Sequence, residues 1–157
     1  MVVNSLLTTQ LFEEMIEKTH FSLKEFYKGN PEPYRMLCST KDVSLLGAQG
    51  GIAVGPKDVV EHLTSRASWF REGENVRFEN LVKLSTQDLG YIVEVERFDT
   101  KITGSNEVVH IALRVTTIFR RESGEWKVIH RQGDPLVSRI DPAIYVSLAK
   151  HNQDMTQ

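Results

Sequence analysis

The sequence predicts an α+β fold: three N-terminal helices packed on an antiparallel sheet, followed by a short C-terminal extension. Three observations predict it. Apolar residues recur three or four positions apart through the first helix-like stretch and again through Val59–Phe70. From Glu74 onward the apolar pattern changes to period two. Short segments with turn chemistry separate the period-two runs, and hairpins after a run of helices imply helices on one face of a sheet.

In chain order, Thr8 or Thr9 is positioned to cap a first helix. Its apolar stripe is Leu11, Phe12, Met15, Ile16, Thr19, Leu23, Phe26 and Tyr27. Gly29 ends this helix. Asn30-Pro31 restarts a short second one, with a capping residue before a proline whose missing N–H costs nothing at a helix start. Tyr34, Leu37 and Cys38 are its expected buried members. Asp42–Leu46 reads as a first strand, and the glycines at 47, 50 and 51 bracket a reversal into Ile52-Ala53-Val54. Gly55-Pro56 opens a third helix with Val59, Val60, Leu63, Ala67 and Phe70 on its apolar face and Trp69 beside it. Strands are expected at about 76–85, 88–102, 107–121 and 125–133. Asp141-Pro142 is set to open one more short helix to about Lys150, and the last seven residues are expected to fray.

At 157 residues the chain is the size of one domain and large enough to bury a core without metals or disulfides. The expected division is a core at about 8–134 and a tail at 135–157. A net charge of −2 with both signs interspersed offers no basic stripe to nucleic acid, so no nucleic-acid partner is expected. The lone cysteine, Cys38, excludes a disulfide within the chain and suits a reducing compartment. Its alternatives are a nucleophile or a small buried hydrophobe on a helix, and the general burial of free cysteine favours the second. Met1–Leu7 lacks the basic start and long apolar run of a signal peptide. No stretch approaches the roughly 18 apolar residues of a membrane span. The expectation is a cytoplasmic protein with no membrane partner. The histidines at 20, 62, 110, 130 and 151 show no metal-ligand spacing, and no cofactor motif follows the glycines at 47–55. No metal or cofactor is therefore expected.

Three sequence features together resemble a known family. They are Gly29-Asn30-Pro31-Glu32-Pro33 leading into Asp42-Val43-Ser44-Leu45, then Gly50-Gly51-Ile52-Ala53-Val54-Gly55 before a helix with Val59, and last Arg114-Val115-Thr116 followed by Gly124-Glu125-Trp126-Lys127-Val128-Ile129-His130 and Asp134. From about residue 10 to 134 the chain resembles the SnoaL-like (nuclear transport factor 2-like) superfamily, which includes ketosteroid isomerases. The resemblance implies a single domain with a cystatin-like cone, its curved sheet wrapped around the first helix and open at one end as a pocket. It also implies a homodimer paired through the sheets. The fold carries many functions, so activity has to be argued from the site. Gly47 falls where a ketosteroid isomerase of this kind carries its general-base aspartate. Ser22 falls near its oxyanion-hole tyrosine, Val115 or Thr116 near the partner acid, and Gln132 where relatives often have a second histidine. None of these positions offers the acid–base group that such an isomerase requires.

The candidate site lies on the last two strands. Strict alternation puts Trp126, Val128, His130, Gln132 and Asp134 on one face, and His110, Ala112, Arg114, Thr116 and Ile118 on one face of the strand before. A three-residue loop at Glu122-Ser123-Gly124 pairs Thr116 with His130 and Arg114 with Gln132, and a third-position glycine suits it. A two-residue loop at Ser123-Gly124 pairs Thr117 with His130 instead. Under the first register Arg114, Thr116, His130, Gln132 and Asp134 form a polar cluster for a carboxylate or carbonyl ligand. Arg114 is then the forked donor and His130 the best candidate for proton transfer. His130 and Asp134, roughly 13 Å apart on a strand, form no dyad. The alternative is that this face meets solvent or a second copy. Trp69 and Tyr27 are candidates to line the pocket mouth, with core packing as the alternative.

The readings that follow are a homodimeric small-molecule binding module and, alternatively, an isomerase, cyclase, dehydratase or hydrolase using His130 with Arg114 or Asp134.

Overall fold

The computed structural model describes residues 2–153, with side chains from Leu6 to His151. Ten elements follow in chain order: α1 (Val2–Phe26), α2 (Glu32–Leu37), β1 (Ser44–Leu46), β2 (Ile52–Val54), α3 (Pro56–Ala67), β3 (Phe70–Ser85), β4 (Leu89–Ile102), β5 (Val108–Glu122), β6 (Glu125–Pro135) and α4 (Pro142–Gln153). The six strands form one sheet in the order β2-β1-β6-β5-β4-β3. Only β1 and β6 run parallel, and the rest is a meander of hairpins. The α+β expectation holds.

The proline starts are where the sequence places them. The Asn30 Oδ1 accepts the Glu32 N–H (3.2 Å) ahead of α2, and the Asp141 Oδ1 accepts the Ala143 N–H (2.8 Å) ahead of α4. Helix α1 differs: it is already helical at Val2, so Thr8 and Thr9 sit inside it rather than capping it. Nothing among residues 2–7 breaks a helix, and an internal threonine is tolerated. Helix α4 runs beyond Lys150 to Gln153, and the remainder of the expected frayed end, 154–157, lies outside the described residues. Strand β3 begins six residues earlier than the period-two pattern indicates. Register shifts at Arg71/Glu74 and Glu74/Arg77, with Glu72 and Asn75 at positive φ, hide the alternation there and curl the sheet.

Helix α1 lies against the inner face of the curved sheet. Phe12, Met15, Ile16, Leu23, Phe26 and Tyr27 are buried from the helix, and Ile92, Phe98, Leu113, Val115, Phe119, Trp126 and Val128 from the strands. Phe12 meets Phe119 edge-on (5.5 Å, 86°) and Trp126 at 5.0 Å, while Tyr27 stacks on Phe98 (3.6 Å, 13°). Cys38 is buried and gives its thiol to the Tyr34 carbonyl (3.5 Å). Burial pushes that thiol up to about 12, so it stays protonated near neutrality and packs as a hydrophobe. Among the described residues no helix is long and apolar enough to cross a membrane.

Candidate functional site

The inner and outer faces of β6 are decided by one extra residue. The hairpin turn is the two-residue Ser123-Gly124, both at positive φ, with Glu122 opposite Glu125. Such a turn matches the twist of the strands and needs left-handed residues, which glycine adopts at no steric cost. Phe119 then pairs with Val128, but Ile118 pairs with His130, and Ile129 is left over as a bulge. Inserting one residue reverses the side-chain phase. Trp126 and Val128 face inward before the bulge, and Arg131 and Gly133 face inward after it.

This corrects the expected register and moves the expected cluster. Arg114 pairs across the strands with Asp134, Thr116 with Gln132, and Ile118 with His130, on the outer face. Arg114 gives its fork to Asp134 (Nε to Oδ1 2.6 Å), and both side chains are largely exposed. The His130 Nδ1 and Ser44 Oγ are hydrogen-bonded at 2.8 Å. None of Arg114, Thr116, His130, Gln132 and Asp134 lines the pocket. Tyr27 does line it. Trp69 stands just past α3 with the Arg66 guanidinium 4.2 Å above its ring, beside the pocket without lining it.

The pocket opens between the C-terminal end of α1, α2, the loop joining β1 to β2, α3 and the inner sheet face. Its walls include Leu23, Phe26, Leu45, Leu63, Phe70 and Leu113, and its volume is about 60 Å³. At ~10–15 Å³ per water, that is room for a ligand of about four to six heavy atoms.

The polar groups within it come from Tyr27, Tyr34, Gln49, His62, Arg66 and Arg131. Arg131 donates twice to Glu96, Nη1 to Oε1 at 2.9 Å and Nη2 to Oε2 at 2.7 Å. Tyr27 gives its hydroxyl to the same Oε2 at 2.6 Å. Glu96 is fully buried and the Arg131 side chain is 11% exposed. Burial alone works against the Arg131 charge, and Glu96 more than offsets it, so the guanidinium is held more firmly charged than usual. Burial and then Glu96 raise the Tyr27 phenol, so it stays a donor. A neighbouring inward carboxylate, Glu94, is 2.7 Å from the His20 Nε2, whose ring stacks on Phe78 (3.9 Å, 6°).

Two of the titratable groups remain uncommitted. The Tyr34 hydroxyl is buried and its proton has no acceptor, while the Arg131 guanidinium beside it acts on the oxygen as a charge and as a weak hydrogen-bond donor. His62 is half-buried at the mouth, and among the described residues its ring nitrogens have no hydrogen-bond partner. Burial, then the nearby Arg66, lower its affinity for a proton, so the ring is neutral near pH 7. Gly47 makes room for it: a Cβ there would lie 2.8 Å from the His62 Nε2. Among the described residues no group of three or more His, Cys, Asp or Glu is placed to hold a metal.

Sequence reasoning missed Glu96, Arg131 and His62. In Ile92-Val93-Glu94-Val95-Glu96-Arg97-Phe98 both phases contain apolar residues, so alternation does not say that the glutamates point inward. Arg131 was hidden by the bulge.

The described architecture is similar to solved structures. One is an NTF2-like superfamily protein from Salmonella enterica serovar Typhimurium, with a TM-score of 0.74 at 11% identity over 88% of this chain and 97% of that one. The chain has the NTF2-like fold. Two other structures with this fold are similar to it. A protein from Streptomyces avermitilis, provisionally assigned as an NTF2-like family dehydratase, has a TM-score of 0.71 at 12% identity, covering 84% of this chain and 98% of that one. A ketosteroid isomerase-like protein from Erwinia carotovora atroseptica has 0.69 at 14%, covering 82% and 96%. Others among the matching structures are described as cystatin-like folds, which agrees with the cone. No protein-family model and no curated protein matches the sequence. Within the NTF2-like fold, Gly47 and Ser22 occupy the pocket mouth and the buried side of α1, and Val115 the inner face of β5.

Proposed function

We propose that this chain is a homodimeric small-molecule binding protein that takes a small organic ligand with a carbonyl oxygen into the cone. The observation that supports this most is the buried Tyr34 hydroxyl, whose proton has no acceptor, among the mainly apolar walls of the pocket. A buried donor without an acceptor costs about 1–3 kcal/mol, and a ligand oxygen relieves that cost. A neutral carbonyl fits better than a carboxylate. Arg131 is already neutralised by Glu96, so a second buried anion beside that pair has only Arg66 as a counter-charge against its desolvation cost. The similar structures include proteins assigned as a dehydratase and as ketosteroid isomerase-like, a further reason to expect a small organic ligand.

Saturation-transfer NMR with cyclopentanone and with acetate tests the reading. Cyclopentanone is expected to bind and acetate to bind at least tenfold more weakly. Tyr34→Phe is expected to abolish ketone binding while leaving stability equal or slightly higher, because it removes a buried unsatisfied hydroxyl. Unchanged binding in Tyr34→Phe sinks the proposal.

The dimer is supported by the outer sheet face. Val82, Leu84 and Leu89 are exposed there, beside Tyr91, Val93 and Ile118. Leu84, Leu89, Tyr91, Thr116 and Ile118 line a shallow apolar groove. Exposed apolar patches on this scale mark association surfaces. Sedimentation at micromolar concentration is expected to give a dimer, and Ile118→Glu a monomer. A monomeric wild type refutes the pairing.

A further inference from the structure

Beyond β6 the chain leaves the cone, and every side chain from Pro135 to His151 is exposed. The large apolar ones among them run from 37% exposed at Leu136 to 67% at Tyr145. In α4, Ile144, Tyr145 and Leu148 share one side of the helix, and Ser147, Lys150 and His151 share the other. A helix divided in this way has one side suited to being covered.

The route of the chain shows which surface is available to cover it. The Leu136 N–H donates to the Ala112 carbonyl (2.9 Å), and Leu136 stands two residues past Asp134, so the tail departs in the phase of the outer sheet face. That face carries the apolar groove of Leu84, Leu89, Tyr91, Thr116 and Ile118. Strand β6 passes that groove at His130, opposite Ile118, and then runs away from it. Ala112, where the tail departs, is six residues or roughly 20 Å along β5 from Ile118. Within one chain, then, α4 and the groove stand apart and both are bare. At about 1.5 Å per residue the helix is ~18 Å long, enough to lie across the three strands that build the groove.

We propose that α4 is an exchanged arm, its Ile144–Tyr145–Leu148 side seated in the outer groove of a second copy of this chain. This rests on the pairing read from the outer face above. A two-fold pair makes the contact twice, each copy giving a helix and receiving one. The size of the surface favours a second copy as the occupant. Stable interfaces use about 20–30 residues a side. The outer-face patch of Val82, Leu84, Leu89, Tyr91, Val93 and Ile118 falls well short of that, and the sixteen residues of 136–151 bring the total into range. The arm thus supplies most of the area the pair needs.

The test is sedimentation of the full chain in a dilution series that gives the dimer dissociation constant. Ile144→Glu with Leu148→Glu is expected to raise that constant by about 10²-fold or more, the usual worth of two central apolar anchors. Ser147→Glu, on the other side of the same helix, is expected to change it by less than about threefold. Far-UV circular dichroism is expected to show the fold intact in both variants, because α4 contributes nothing to the core. A short bis-maleimide applied to the chain carrying Leu84→Cys and Leu148→Cys supplies an independent reading, Cys38 being buried. Products that join two chains are expected. A dimer indifferent to Ile144→Glu with Leu148→Glu, or cross-links found only within single chains, overturns the exchange and leaves the pairing standing. A wild type that sediments as a monomer overturns both.

Discussion

Replacing Arg131 with methionine is expected to lower the unfolding free energy by about 3–5 kcal/mol, because it leaves the fully buried Glu96 carboxylate without its cation. The loss is a large part of the roughly 5–15 kcal/mol that holds a domain of this size together. Two hydrogen bonds to Arg131 disappear with the charge, and only the Tyr27 hydroxyl is left on the carboxylate. The pair itself is expected to be worth much less than either single substitution suggests. Joint replacement with apolar residues, Arg131→Met with Glu96→Leu, removes both desolvation costs and should recover most of the lost stability. The residual deficit is the Tyr27 hydroxyl, which then has no acceptor. Urea denaturation of the two single variants and the double gives the coupling directly, with equal slopes as the check that unfolding stays two-state. A double variant as unstable as the sum of the singles rejects this account of the pair. The contrast with Arg114→Met is the control. That ion pair is largely exposed on both sides, and its loss should cost no more than about 1 kcal/mol.

Phe12→Ala is the second large effect, expected to cost about 3–5 kcal/mol. Phe12 is 1% exposed and touches both Phe119 and Trp126, which close the narrow end of the cone. The cavity it leaves is walled by strands on several sides, which cannot collapse onto a single helix. Gly90 on β4 shows how tightly this ring is held, since a Cβ there would lie 2.6 Å from the Phe12 Cε2. Gly90→Ala is thus expected to destabilise from the opposite direction, by about 1–3 kcal/mol of overpacking. Phe21→Ala, on the same helix but 62% exposed, should fall within about 0.5 kcal/mol of wild type. Thermal or urea melts of the three variants give the comparison, and similar losses for Phe12 and Phe21 refute this assignment of the core.

Much of this fold is readable residue by residue. Pro31, Pro56 and Pro142 mark helix starts because proline supplies the right φ and lacks an N–H that would have no partner there. The stripe from Phe12 to Tyr27 marks α1's buried side because a 3.6-residue period leaves one face dry. Turn residues separate the long strands for similarly local reasons. The strand boundary that failed is one set from a distance. Strand β3 extends back to Phe70 because β4 pairs with it through irregular register, which no pattern within Phe70–Asn75 announces.

The helix-then-sheet architecture was thus determined by the sequence alone, since caps, turns and periodicity act over a few neighbouring residues. The site was decided only by the tertiary structure. A bulge at Ile129 turns Arg131 inward and His130 outward, and a side chain's phase along a strand depends on every residue between it and the turn. Once Arg131 faced inward, Glu96 on β4 together with Tyr27 and Tyr34 from the helical side determined what it met. The polar cluster expected around His130 is consequently an outer sheet face, and the pocket is built from Tyr34, His62 and the Arg131–Glu96 pair. These residues are far apart in sequence, and only the curvature of the sheet around α1 brings them together.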